Sequence, residues 1–155
     1  MHIIVAPHPD DEIIGCLEII QKNEPTVILY GAETVSSRRE EAKEVKELFS
    51  NIVGQLFLQN LPPNLISKSN MFYFPDHTYE THPLHRFYGM YGESLARSGH
   101  DVTFYTTNMI APYIHEVKIP DDKENFLNMC YPGQKSLWEY EKKYILFEGY
   151  CKWIF

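Results

Sequence analysis

An imidazole and three carboxylates, His8, Asp10, Asp11 and Glu12, crowd into the short stretch Ala6-Pro7-His8-Pro9-Asp10-Asp11-Glu12. The run His2-Ile3-Ile4-Val5 precedes it and Ile13-Ile14-Gly15-Cys16-Leu17 follows, so the charge falls where a strand gives way to a helix. Charge in such a place is costly unless the groups have partners or a task. A second chemical cluster, His77-Thr78-Tyr79-Glu80-Thr81-His82-Pro83-Leu84-His85-Arg86, holds three of the chain's 7 histidines.

Catalytic sites for a divalent metal typically take three protein ligands from His and carboxylate and leave a position for water. His8 and Asp11 stand three apart, so on a tight turn or a first helical turn they can point the same way, and His82 and His85 share that spacing. If both stretches lie at the carboxyl ends of parallel strands, they face one another across a crevice. A three-ligand site can then be assembled with one His and one carboxylate to spare. Asp10, adjacent to a ligand, could take a proton from water at the metal, whose pKa falls to roughly 7 on zinc. The spare His could donate to the leaving atom or stabilise an oxyanion. Metal, base and acid together describe hydrolysis of an amide or ester. The plainer use of Asp10 or Asp11 is as a helix N-cap, with Glu12 answering the helix dipole, and two His three apart in a loop are commonly solvated. Their joint occurrence after two predicted strands favours a site.

The elements that must position these groups can be read in order. Ile3 to Ala6 are consecutive apolar residues without alternation, as in a parallel strand covered on both faces. A helix is expected from about Asp11 to Lys22, ended by Asn23-Glu24-Pro25, and Thr26 to Tyr30 is a second buried strand. This βαβ opening predicts an α/β fold, a single-domain Rossmann-like three-layer sandwich with a mostly parallel sheet. Ser37 and Glu40 have capping-box spacing for a helix to about Phe49, with Ala42, Val45, Leu48 and Phe49 on one apolar stripe. Arg38 and Arg39 oppose the dipole of that helix, at about 0.3–1 kcal/mol each when exposed, and call for a partner. An anionic or polar ligand would serve, as would Glu41 or Glu33 on the surface.

Further strands are expected at Ile52 to Leu58, Met71 to Phe74 and Val102 to Tyr105, with Leu61 to Asn70 as loop and a helix running to about Arg97. A last helical region starts near Asp121, capped by Asp121 and Glu124. It breaks at Pro132-Gly133 and resumes through Trp138, Tyr140 and Tyr144.

Composition narrows the function classes. At 155 residues the chain fits one domain, residues 1–155, and its aromatic share of 14% argues against disorder. A net charge of −7 without a basic cluster excludes gripping a nucleic-acid backbone, leaving a small ligand or a nucleotide-linked sugar open. Cys16, Cys130 and Cys151 are odd in number and form no CxxC pair, so they read as reduced thiols, the first two packed. No basic segment precedes a long apolar run and no stretch reaches ~18 apolar residues, so neither a signal peptide nor a membrane span is expected and the cytoplasm is the default location.

Ala6-x-His8-Pro9-Asp10-Asp11-Glu12 after the first strand, with His82-x-x-His85 opening a later helix, resembles the LmbE-like or PIG-L N-deacetylases, zinc hydrolases that remove acetyl from substrates containing N-acetylglucosamine. Arg38-x-x-Glu41-x-x-x-Val45-x-x-Leu48 resembles the family's Arg and Glu helix, and Lys123 through Tyr131-Pro132-Gly133-Gln134 its Lys-rich turn. The resemblance spans most of the chain, and its first motif is the specific one. It implies His8, Asp11 and His85 as metal ligands for Zn2+, Asp10 as general base and His82 as the group that polarises or protonates the substrate. It also implies Arg38 as a substrate contact and an acetylated amino sugar, or a sugar conjugate, as the small-molecule partner. Glu12 is expected to support these groups from behind. The chain departs from the family at Leu84, where an Asp is usual, so Glu80 or Asp76 would have to orient His82, and at Gly133, where a Ser is usual. An alternative register would place the ligand at His77, through Phe74-Pro75-Asp76-His77. The continuation through Arg86 favours His82 and His85. The residue types themselves also suit non-haem iron, and a non-catalytic or weakly active metal- or ligand-binding protein of the same fold is the competing reading.

Overall fold

The uninterrupted apolar runs become central strands of a sheet covered on both faces. The structure is a computed structural model that describes residues 1–108, 110–138 and 143–153. Its strands are β1 (His2–Ala6), β2 (Thr26–Tyr30), β3 (Ile52–Phe57), β4 (Met71–Pro75), β5 (Asp101–Tyr105), β6 (Ile114–Glu116) and β7 (Phe147–Lys152). Four main helices, α1 (Asp11–Ile20), α2 (Ser36–Leu48), α3 (Pro83–Arg97) and α4 (Pro120–Cys130), are joined by two short ones, α5 (Lys135–Trp138) and α6 (Lys143–Leu146). The sheet order is β3-β2-β1-β4-β5-β7-β6, the first five strands parallel and β7 antiparallel to both its neighbours. This is the Rossmann-like, mostly parallel sheet that the strand pattern predicts.

Alternation along each strand feeds two cores. Ile4 and Ala6 of β1, with Ile28 and Tyr30 of β2, pack against α1, α2 and α4, while Ile3 and Val5, with Val27 and Leu29, pack against α3. Gly15 lets α1 lie on β5, since a Cβ there would run into the Tyr105 ring. The strand order reverses at β1, which has β2 on one side and β4 on the other. Open α/β sheets bind ligands at such a switch point, outside the carboxyl ends of the strands.

Several boundaries differ from the sequence expectation. Helix α1 ends at Ile20, two residues short of Lys22, and is kinked at Cys16, whose φ of −136° and ψ of 18° are non-helical. The kink lies between the Ile14 carbonyl and the Glu18 N–H, partners in an unbroken helix. Lys123 from α4 donates to the Ile14 carbonyl and to that of Phe147 (3.1 Å), and Glu148 of β7 accepts from Glu18 N–H (3.3 Å). Lys123 and Glu148 pair at 3.1 Å with both side chains fully buried. Removing the cation alone strands a buried carboxylate, so Lys123→Met is expected to cost about 3–5 kcal/mol. Thermal unfolding should show a drop on the order of 10 °C, largely recovered in Lys123→Met/Glu148→Leu.

Ser37 and Glu40 form no capping box, because α2 begins at Ser36 behind Val35, which makes no side-chain cap bond. Leu48 turns to solvent, 38% exposed, while Ala42 and Val45 are buried as the stripe predicts. Asp121 and Glu124 do not cap α4, whose N-cap is Ile119 with Pro120 in the first turn. Strands β6 and β7 were not expected at all, and Tyr140 lies outside the described residues. Cys16 and Cys130 are buried and Cys151 is exposed, all three free. Among the described residues no helix is long and apolar enough to cross a membrane.

Candidate metal centre

The chain leaves β1 through Pro7 and Pro9, which have no N–H to continue a ladder. Asp10 follows with φ 112° and ψ −31°, a conformation that costs free energy for any residue with a Cβ. Its carbonyl starts α1 by accepting from Ile13 (3.0 Å) and Ile14 (2.8 Å), but its side chain makes no cap bond. The carboxylate of Asp10 is therefore not used as an N-cap. Glu12, fully buried, holds the turn: its Oε2 accepts from the Asp10 N–H at 3.1 Å, and its Oε1 accepts from Tyr30 (3.0 Å) and Tyr131 hydroxyls. Burial pushes the Glu12 pKa up to about 7 against those hydrogen bonds.

Strand β4 delivers the second half. Glu80 is buried, and its Oε1 accepts from the Thr107 N–H (2.8 Å) and hydroxyl (3.0 Å) just beyond β5. Its Oε2 lies 3.3 Å from His85 Nδ1. Glu80 thus aims His85, which leaves Nε2 turned towards β1.

His85 Nε2, His8 Nδ1 and Asp11 Oδ2 then converge. The two imidazole nitrogens are 3.1 Å apart, His85 Nε2 is 3.1 Å from Asp11 Oδ2, and His8 Nδ1 is 3.4 Å from it. A tetrahedral ion with ligands at about 2.0–2.1 Å requires donor separations of about 3.3–3.4 Å, so the three atoms are already close to a coordination face. Burial alone would lower the pKa of His85, yet Asp11 and Glu80 push it up to about 10. Burial would likewise raise Asp11, but His85 and His8 hold its carboxyl far below the usual range. Asp10 is raised well above that range by burial and by the charges of Asp11 and Glu12, against the pull of Arg38 and His85.

His8, His82 and His85 also form a group that could hold a metal ion, with one nitrogen from each lying within 4.8 Å of the others. His82 differs from the other two in its hydrogen bonding. It is the N-cap of α3, and its Nδ1 accepts from the Leu84 N–H at 3.2 Å. The neutral ring therefore carries its proton on Nε2, a donor where a ligand needs a lone pair. Burial and the nearby His8 and His85 charges lower its pKa, which favours that neutral form.

The cleft around these groups has a volume of about 420 Å³. Arg38 lines it and, among the described residues, makes no hydrogen bond or ion pair. Arg39 is spent on the carbonyls of Thr34 (2.8 Å) and Ala32 (2.9 Å). Glu41, offered above as a surface partner for an arginine, instead accepts from Gly133 N–H (2.7 Å) and from Gln134 (3.2 Å), joining α2 to the turn after α4. A Cβ at Gly133 would come within 2.6 Å of Glu41 Oε1, so a larger residue there would have to displace that carboxylate.

Glu80 and Asp76 were candidates to orient His82, and neither does. Glu80 is committed to His85 and Thr107, and Asp76 to the Thr78 N–H and the Tyr113 hydroxyl. His77, the alternative ligand, pairs with Glu93 at 3.1 Å and lines a different cavity. Sequence reasoning missed Thr107, Asn108 and Trp138 in the cleft wall. The first two follow β5 directly, so the run Thr106-Thr107-Asn108 at the end of a parallel strand was the available signal.

Glu80→Gln places an amide N–H against the His85 Nδ1–H while the other oxygen still receives Thr107. It is expected to weaken metal binding 10–100-fold, the usual effect of removing an outer-sphere carboxylate, and competition with a chromophoric chelator would read it.

Fold and site together define an α/β three-layer protein with His8, Asp11, His82 and His85 gathered at its switch point. No known protein family matches the chain, and neither curated proteins nor solved structures give a match.

Proposed function

We propose that the protein is a zinc-dependent hydrolase of the LmbE/PIG-L type that removes an acetyl group from an N-acetylated amino sugar, or from a similar small amide. The observation that carries this reading is the donor triangle of His8, Asp11 and His85, with a buried Asp10 carboxylate free of capping duty beside it and the His82 ring lining the same cleft.

His8, Asp11 and His85 would hold the ion: two imidazoles and one carboxylate suit zinc, and their donor atoms already converge. When bound, such an ion polarises the amide carbonyl and lowers the pKa of the attacking water. Asp10, whose neighbour Asp11 would be neutralised by such an ion, would then keep its carboxylate in the basic form. Asp10 takes the proton of the attacking water and returns one to the amide nitrogen as the C–N bond breaks. His82 donates from Nε2 to the carbonyl oxygen as negative charge develops there. Arg38, with no hydrogen-bond partner of its own among the described residues, binds a polar group of the substrate across the cleft. Glu12 and Glu80 act one step back, holding the Asp10 turn and the His85 ring. Three free thiols fit a reducing cytoplasm.

The test is release of acetate from N-acetylglucosamine and its conjugates. Turnover is expected with zinc, should vanish on chelation, and should return when zinc is restored. A protein that holds stoichiometric zinc yet releases no acetate from such sugars or from acetanilide would leave the competing reading, a metal- or ligand-binding protein without catalysis. The feature that favours that alternative is Leu84, which leaves His82 without a carboxylate behind it.

A further inference from the structure

A second cavity of about 600 Å³ adjoins the metal cleft, and the two share His8, Arg38 and His82 as a seam. Beyond the seam they differ in kind. The first is walled mainly by carboxylates, threonines and His85, with Ile14 and Trp138, the second mainly by Pro9, Val35, Pro83, Leu84 and Phe87, with Thr34 and, among the described residues, Glu33 as its one further charge. Val35 and Phe87 are 60% and 44% exposed, so this apolar wall stands in water until something covers it.

Val35 supplies an independent observation. It is the N-cap of α2, a position where Ser, Thr, Asp or Asn would bond a free helix N–H and where Val is among the poorest choices. A residue that sacrifices a cap and exposes an apolar side chain at a cleft is a local conflict of the kind found at binding sites. Leu84, which replaces the acid expected from the family resemblance, lines the same wall.

We infer that this second cavity is a subsite for an apolar part of the substrate, an aliphatic chain or an aromatic ring, whose polar part occupies the metal cleft. The position of the scissile amide at the seam rests on the amide-hydrolase reading. Water adds its oxygen to the carbonyl carbon, the C–N bond breaks and the nitrogen gains a proton, giving a carboxylate and an amine. The apolar group departs with one of them: with the carboxylate if it is a long acyl chain, with the amine if it is the sugar's aglycone.

The experiment is calorimetric titration of the Asp10→Asn protein, which spares the ligand, with N-acetylglucosamine, N-octanoylglucosamine and phenyl N-acetylglucosaminide, with zinc added. At least one apolar ligand should bind roughly tenfold or more tightly than N-acetylglucosamine, as expected for a buried ring or chain. The octanoyl compound gaining identifies an acyl subsite, the phenyl compound an aglycone subsite. In the Phe87→Ser background that preference should fall to about twofold or less. Val35→Ser should lower it too while raising the melting temperature, because serine restores the cap, so weaker binding there is not misfolding. Equal affinity for all three ligands, or a preference that survives both serine substitutions, overturns the subsite. Acetate release by the native protein is read separately: its absence with the apolar preference intact counts against the hydrolase reading alone.

Discussion

Asp11→Ala is expected to abolish the zinc binding proposed for the site. The Asp11 Oδ2 atom is 3.1 Å from His85 Nε2 and 3.4 Å from His8 Nδ1, and its side chain is buried, so no other carboxylate or bulk water replaces it without rearrangement. Alanine removes both a donor and the negative charge that balances two imidazoles. Outer-sphere losses alone weaken metal sites 10–100-fold, so loss of the ligand should exceed about 100-fold, and amide hydrolysis should fall with it. The His8 N–H also loses its acceptor, at 2.9 Å, which loosens the turn. Asp11→Asn should fall between, since it keeps an oxygen and the shape but not the charge. Zinc per chain and competition with a chelator read the effect, with circular dichroism to show that α1 is retained. Native zinc affinity in Asp11→Ala, with loss in His82→Ala, would instead assign the ion to three imidazoles.

Asp10→Asn is expected to do the opposite: keep the metal and lose the rate. Nothing in the donor triangle depends on the Asp10 side chain, and the bond from its N–H to Glu12 is a backbone bond that Asn retains. Asn also tolerates positive φ at least as well as Asp. What disappears is the proton acceptor, and general-base catalysis is worth about 10²–10⁴ in rate. Saturating kcat should therefore drop by that factor at unchanged zinc stoichiometry. A drop under about tenfold, or loss of zinc, would remove Asp10 from the role of base.

These two residues were legible in the sequence because their types and spacing sit between an unbroken apolar strand and an apolar helix, and nothing remote is needed to see it. The same locality made β1, β2, β4 and β5 readable to within a residue or two. Glu80 was noticed as a carboxylate, but its partner was not, because whether it reaches His82 or His85 depends on Thr107 anchoring it from another strand. The phenols that hold Glu12, Tyr30 and Tyr131, lie far from it along the chain and carry no spacing signal. Strand β7 was hidden for a related reason. Its Glu148 is buried only because Lys123 and the kink at Cys16, both remote along the chain, supply the partners that let it face inward. The N-cap of α2 misled in the other direction, where Ser37 and Glu40 offered a good local cap and the helix began behind Val35 instead.

The most direct test of the central claim is a crystal structure of the zinc-loaded protein with the metal located by anomalous scattering at the zinc edge. The account predicts one ion ligated by His8, Asp11 and His85, with the His82 ring unligated and still accepting from the Leu84 N–H. An ion bound by His8, His82 and His85 with Asp11 turned away, or no ion at the end of β1, would contradict it.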